Sequence, residues 1–461
     1  MNENISIELI VACDNKFGIG KDNKLPWSCP EDLKLFREIT KNNVLIMGRN
    51  TVDNLPVLKD RIILCLSRTK REKEEKKNLF YFDSADKAVS FYKENYVNEN
   101  KKLFVAGGER IYSLFLTTYN ISRIHLSRIQ KTFECDAFLC GLNLNDYKIE
   151  KETHYNDFIY QILIPSNNDG EKQYLNLLKT VLQSNSRQTR NGETKSIFMS
   201  NLVFDIDDGF PLLTTKKMFF KGIVEELLFF LKGETNSKIL EEKGISIWKG
   251  NTNREFLNKN NMENRKEGIM GPMYGYQWRF FGSPYNEETG KPETNEKNEK
   301  SIDQLEYVIN TLKTDPHSRR ILLTDYNPLQ AFQGVLFPCH SIINQFYVNN
   351  ENELEMSCYN RSQDLFLGTP FNIASSALLL MIVGKLVSLK PKKLHMILGD
   401  THIYKEHYDV VQTQLKRQRF SFCKVTIPNI SKIEDINNLT WENFPLENYF
   451  SHPSIKANMI A

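Results

Sequence analysis

Six turn-forming residues in a row, PSNNDG at 165–170, break the chain into two stretches that do not share a continuous element. The 461 residues exceed what one core ordinarily holds, so residues 1–164 and 171–461 are expected to fold as two domains joined by the short linker 165–170. In the first stretch ISIELIVAC, NVLIMG, RIILCLS, ISRIHLSRI and NDFIYQILI are short β-rich runs. CPEDLKLFREIT is an amphipathic helix with Pro30 and acids at its start, and KKLFVAGGERIYSLF reads as strand, Gly-Gly turn and helix. This alternation predicts an α/β domain, a central β-sheet with flanking helices. The charge run RTKREKEEKKN is read as a solvated loop. The second stretch is expected to be α+β with longer elements. KGIVEELLFFLKG and NIASSALLLMIVGKLV supply apolar helices for a large core, and the polar segment 282–301 is expected to be an exposed insertion.

Composition excludes several classes. With 40% hydrophobic and 25% charged residues the chain reads as soluble and globular. Sixty basic against 57 acidic residues argue against nucleic acid as the main partner, while leaving room for a local basic pocket. The run IASSALLLMIVGKL is too short to span a bilayer and carries a Lys, and MNENISIELIVA lacks signal-peptide features. Eight irregularly spaced cysteines without a C-x-x-C pair suggest reduced thiols, hence a cytoplasmic protein. HIYKEH has the wrong spacing for a two-His zinc helix, and no metal is expected.

The segment FPCHS, 337–341, sets a cysteine among polar neighbours. A free cysteine is usually a small buried hydrophobe; groups that lower its pKa make it a nucleophile. Arg forks suited to phosphate oxygens occur at Arg190 (QTRNGET), Arg319 and Arg320 (DPHSRR) and Arg361 (YNRSQD, with Ser362), although each alone is more often a surface charge. His402 and Tyr404 in GDTHIYKEH stand two apart, on one face of a strand. Asn372 in GTPFNIAS is expected in a turn before an apolar helix, where a simple cap is the competing role.

Together with DGFPLLTTKK, GPMYGYQWR and the tail HPSIKANMIA, these motifs resemble thymidylate synthase over nearly all of 171–461. The resemblance implies an obligate dimer that methylates dUMP to dTMP with 5,10-methylenetetrahydrofolate. Uracil C5 is a poor nucleophile; a thiolate adding to C6 makes it an enolate carbon that attacks the methylene group. Cys339 matches that thiolate, with Arg361 favouring its ionised form. Glu226 matches the family's proton-shuttling acid and Tyr274 the tyrosine near the C5 proton. By resemblance Arg190, Arg319, Arg320, Arg361 and Ser362 hold the phosphate, the HSRR arginines reaching the partner's site. His402 and Tyr404 bind the ribose hydroxyl, and Asp364 contacts the pterin beside the nucleotide. Lys216 sits where the folate tail runs, and the carboxylate of Ala461 closes over the site. Asn372 donates to uracil O4 and accepts from N3–H, a pattern opposite to cytosine, which argues against the sister family of deoxycytidylate hydroxymethylases. Tyr326 stands where Trp is common, and Glu225 where His is.

Residues 1–164 resemble dihydrofolate reductase in GIGKDNKLPW, CPEDLKLF, MGRNT, LSRT and VAGGERIY. By residue type alone Asp32 is a first-turn acid on a helix dipole. The resemblance makes it the acid that relays a proton to the pterin N5 through a bound water, which Trp27 helps to hold. Val11 and Phe36 belong to the folate site, and Arg61 grips the glutamate carboxylate. NADPH is implied. Gly107 and Gly108, with Glu109 and Arg110, let backbone approach the pyrophosphate, and Arg49 and Arg68 meet the 2′-phosphate. Ala12, Ile19, Gly20, Thr51 and Ser67 complete that set, while Val52 and Ile63 depart from the family's usual residues.

The two resemblances imply both activities in one chain, a homodimer through the second domain, and no need for a membrane or nucleic acid. A non-catalytic scaffold or RNA-binding relic of the same fold would not need the full catalytic set. A hydrolase built on Cys339 and His340 is disfavoured, because adjacent residues on a strand point apart.

Overall fold

The computed structural model describes residues 6–56, 58–67, 78–165, 170–293 and 301–460. Arg68, Ala461, most of the charge run and most of the linker fall outside the described residues. The chain divides into two compact units, Met1–Asn167 and Asn168–Ala461.

In the first unit the β-rich runs become one eight-stranded sheet. Its strands are β1 (Ile7–Cys13), β2 (Val44–Gly48), β3 (Ile62–Leu66), β4 (Leu79–Phe82), β5 (Leu103–Val105), β6 (Ile121–Ile129), β7 (Tyr147–His154) and β8 (Phe158–Pro165). They lie in the order β4-β3-β2-β5-β1-β6-β8-β7. All pairs are parallel except those made by β8, which runs antiparallel to β6 and β7. Val44, Leu45, Ile46 and Met47 are all buried, the continuous apolar signature of a parallel strand covered on both faces. The helices are α1 (Pro30–Thr40), α2 (Arg49–Asn54), α3 (Ala85–Asn95) and α4 (Glu109–Thr118). Pro30 opens α1, where its missing N–H costs nothing, and the turn buries Asp32 while exposing Glu31.

The second unit carries α5 (Gly170–Leu182), β9 (Ser186–Thr189), β10 (Gly192–Asp205), α6 (Phe220–Leu231), α7 (Gly275–Phe280), α8 (Gln304–Thr314), β11 (Leu322–Thr324), β12 (Ile343–Val348), β13 (Glu353–Asp364), α9 (Gly368–Val387) and β14 (Lys390–Tyr404). The six strands of its main sheet lie in the order β9-β10-β14-β13-β12-β11. The parallel pairing of β13 with β14 sets Ser362 beside Asp400 and Asp364 beside His402. The β10–β14 register brings Thr194, just past the Arg190 turn, opposite Tyr404. Along β12, Asn344, Phe346 and Val348 are buried while Ile343, Gln345 and Tyr347 are exposed, so one sheet face makes core and the other meets solvent.

Two expectations need correction here. The run read as too short for a bilayer belongs to the 20-residue α9, which by length and composition is long enough to cross one. Its apolarity is explained by the core: Ile373, Ala377, Leu380 and Ile382 are all buried. The supposed exposed insertion is anchored over its first part. Tyr285 is buried, its ring edge-on to Tyr276 at 4.9 Å and its hydroxyl 2.8 Å from Thr235 Oγ1. Arg265 forks onto both Glu287 oxygens at 2.7 Å. One aromatic and one ion pair hold a segment whose composition reads as loop; residues 294–300 lie outside the described set.

Candidate active sites

In the first unit the ends of β1, β2 and β5 open onto a cavity of about 1590 Å³. Val11, Ala12, Ile19, Gly20, Asp32 and Phe36 line it, as do Arg49, Thr51, Arg61, Ser67, Gly107, Gly108, Glu109 and Arg110. Burial holds the Asp32 carboxyl above its usual value, and a hydrogen bond with Ser127 on β6 opposes that shift. Trp27 packs nearby against Phe133, and its buried indole N–H has no partner among the described residues. The Arg61 guanidinium donates to the Lys59 and Arg37 carbonyls at 2.6 Å each, which fixes a cation at the cavity wall.

The Gly107–Gly108 turn tests whether a dinucleotide fits. Gly107 has φ +110°, a conformation that favours glycine. A Cβ on Gly108 would stand 3.1 Å from Thr51 Oγ1. The turn therefore leaves bare backbone at the cavity wall, ahead of the N-terminus of α4 and near the Arg49 and Arg110 cations. These residues fit NADPH.

In the second unit Cys339 lies in a loop before β12, not on a strand. Its sulfur is 3.6 Å from the Tyr274 hydroxyl. Arg361 Nε donates to the Pro338 carbonyl at 3.0 Å, and Ser362 N donates to the Cys339 carbonyl at 3.2 Å. Burial pushes the thiol up; the Tyr274 hydrogen bond and the Arg361 charge pull it down, while Asp325 adds to the rise. The expected help from Arg361 is present, but burial outweighs it. His340 stacks on the Tyr274 ring at 4.4 Å, and burial pushes its imidazole down to about 4. A neutral ring engaged in stacking is a poor base for a hydrolase dyad. Glu226, on α6, accepts from Trp248 Nε1 at 2.8 Å, and burial pushes its carboxyl up to about 7.

The remaining expected residues divide. His402 and Tyr404 share a face of β14, ring centroids 5.1 Å apart, and Asp400 meets His402 Nδ1 at 3.2 Å. Arg190 is exposed in the β9–β10 turn, and its charge acts on Tyr404. Arg319 and Arg320 are exposed between α8 and β11, and neither makes an ion pair with a described residue of the protomer. Asp364 Oδ1 accepts from Phe366 N at 2.9 Å and Leu367 N at 3.2 Å, tying the turn into α9. Asn372 lies inside α9 rather than in a turn before it, because Pro370 is tolerated in the first helical turn. Its amide donates to Gln363 Oε1 at 3.1 Å, which removes the capping role and orients the group. Lys216 is 5% exposed. Its buried ammonium donates to the Phe366 carbonyl, and burial pushes it down to about 7. Glu225 is buried and holds Lys243 and the Trp441 backbone N–H.

Sequence reasoning missed Ser127, Trp248, Gln363 and Asp325, which act on or orient the motif residues. Only Trp248, one of four tryptophans, carried a compositional signal.

The dihydrofolate reductase family model matches residues 6–162, and the thymidylate synthase family model matches 172–461. A bifunctional dihydrofolate reductase-thymidylate synthase of Paramecium tetraurelia is 36% identical, covering 100% of both chains. Those of Zea mays and Leishmania amazonensis are 34% and 32% identical, each over 98% of this chain and 96% and 95% of the relative. The chain therefore belongs to the bifunctional dihydrofolate reductase-thymidylate synthase family, and it methylates dUMP with 5,10-methylenetetrahydrofolate and reduces the resulting dihydrofolate with NADPH.

Proposed function

We propose that Cys339 is the thiolate that adds to C6 of dUMP. The observation that carries this is the convergence of Tyr274 on its sulfur, Arg361 on the adjoining carbonyl and Glu226 near neutrality in the same unit. A carboxyl poised at about 7 both gives and takes a proton at working pH, as the base's O4 and C5 require. Arg190, Arg361 and Ser362 hold the phosphate, His402 and Tyr404 the ribose hydroxyl, and Asn372 the uracil edge. Asp364 lies where the pterin meets the nucleotide. In the reductase, Asp32 relays a proton toward N5 from a carboxyl that burial holds above its usual value, while Arg61 grips the glutamate carboxylate. NADPH, held by the Gly107–Gly108 turn and the neighbouring cations, supplies the hydride.

The synthase sites are completed across a homodimer in this reading. Leu322, Ile343 and Tyr347 are 41%, 45% and 59% exposed on one sheet face, which suits burial against a second copy. Arg319 and Arg320, unpaired within the protomer's described residues, are then free to serve the partner's phosphate. A cytoplasmic site of action accords with eight unpaired cysteines, and fractionation against a cytosolic marker tests it. Neither membrane nor nucleic acid is needed. The direct test of the residue assignment supplies dUMP and methylenetetrahydrofolate to Cys339→Ser, Glu226→Gln and Asp32→Asn proteins. The first two should fail to produce dihydrofolate, and the third should consume NADPH far more slowly at neutral pH; wild-type rates in any of them remove that residue's role.

A further inference from the structure

A line of polar side chains crosses one face of the first unit's sheet, and none of it takes part in the reduction described above. Glu8 on β1, His125 on β6 and Tyr160 on β8 are all buried. The strand register sets them on one face: His125 pairs with Ile10, two residues from Glu8, and with Ile162, two residues from Tyr160. The Tyr160 hydroxyl meets His125 Nδ1 at 2.6 Å, and His125 Nε2 meets Glu8 Oε2 at 2.7 Å. The half-exposed Lys102 donates to Glu8 Oε1 at 2.8 Å. Phe104 on β5 packs against the imidazole, ring centroids 5.7 Å apart. Apolar side chains would fill this row without the desolvation that buried polar groups incur.

One end of the line lies at the folate cavity. Tyr160 lines that cavity together with Ser127 and Asp32. It pairs with Ser127 across β8 and β6, and Ser127 bonds the Asp32 carboxyl. No other described residue bonds the phenol oxygen. Burial raises the Glu8 carboxyl, but the His125 and Lys102 hydrogen bonds outweigh it and hold the group below its usual value. An ionised carboxylate only accepts, so His125 Nε2 carries the hydrogen. With Lys102 balancing the carboxylate, the neutral ring offers Nδ1 as an acceptor, and it takes the hydroxyl hydrogen of Tyr160. The phenol oxygen then keeps a lone pair and no free hydrogen.

We propose that the Tyr160 oxygen is a further folate-binding group, accepting from a pterin N–H directly or through one water, and that His125 and Glu8 are positioning residues acting through it. The chain fixes the direction of the hydroxyl hydrogen before substrate arrives, so no binding energy is lost in turning it. It also favours a donor over an acceptor at that point of the ligand. The assignment rests on the reading that the pterin lies beside Asp32.

Tyr160→Phe keeps the ring and removes the oxygen. In the full-length protein its KM for dihydrofolate should rise roughly five- to tenfold, with kcat lowered by less than KM is raised. The KM for NADPH and the synthase rate should stay at wild-type values. Glu8→Gln keeps the shape and removes the charge that fixes the imidazole hydrogen. It should raise the same KM, but raise it no further when Tyr160→Phe is already present. His125→Phe makes the same comparison, so either folded variant suffices. An unchanged KM in Tyr160→Phe, or effects of the paired substitutions that add, overturns the chain. A rise in both KM values together with an equal fall in kcat marks general loosening of the fold and overturns it as well. A wild-type reduction rate in Asp32→Asn would instead overturn the placement of the pterin.

Discussion

The indole nitrogen of Trp248 donates to the Glu226 carboxylate at 2.8 Å, and this bond opposes the upward push of burial on the same group. The two effects leave Glu226 at about 7. Trp248→Phe removes only the opposing one, so the carboxyl rises further. The limb of the synthase pH–rate profile set by ionised Glu226 should therefore move to higher pH, by up to about one unit. A profile that matches wild type would separate Glu226 from that limb.

Asp32 carries the corresponding signature in the reductase. Asp32→Asn should slow dihydrofolate reduction roughly 100-fold at neutral pH, with partial recovery in acid, where the substrate arrives protonated. Linkage gives a second readout. The folded carboxyl lies above its unfolded value, so folding binds a proton there, and stability declines as pH rises from the unfolded value through the folded one. The Asn variant lacks that decline and should melt no lower than wild type at neutral pH. A normal reduction rate near pH 7 would refute the relay.

Asn372 is turned by Gln363, which accepts one of its amide hydrogens and leaves the oxygen and the second N–H for the base. Asn372→Asp should lower dUMP turnover and improve relative use of dCMP, each lost polar match costing ~1–3 kcal/mol. The ratio of the two kcat/KM values measures it; an unaltered ratio excludes the specificity role.

Complementation tests the shared site. One chain carrying Cys339→Ser is co-expressed with another carrying Arg319→Ala and Arg320→Ala. In a mixed dimer one site takes both defects and the other none, so random pairing should restore roughly a quarter of wild-type synthase activity. Activity no higher than the average of the two mutant homodimers, with mixed dimers confirmed, would remove the shared site.

Long ordered motifs made both units legible: the strand and helix runs of residues 1–164 and the nucleotide motifs of 171–461 appear as elements close to their expected places. Legibility failed where one residue overrides its segment's composition. Tyr285 and the Arg265–Glu287 fork anchor a stretch whose Gly, Pro and charge content reads as loop. Asn372 sits within a helix because Pro370 lies in its first turn, where a proline is tolerated, rather than at its end, and a proline signals both. Lys216 is matched to the folate tail by its motif alone, and the motif carries no sign that the Phe366 carbonyl accepts from its ammonium. Ser127 meets Asp32 only through tertiary packing, so its local sequence carries no sign of the role, and Trp248 stands out only as one of four tryptophans.

The central claim is that one chain makes dTMP through Cys339 and recycles the dihydrofolate at a separate site. Its most direct test is Cys339→Ser in the full-length protein, with both reactions followed in one cuvette. Supplied with dUMP and methylenetetrahydrofolate, the variant should form no dTMP and no dihydrofolate. Given dihydrofolate and NADPH, it should reduce at the wild-type rate, because Asp32 and the NADPH-lining residues belong to the other unit. Retained methylation, or reduction lost together with methylation, would contradict the account.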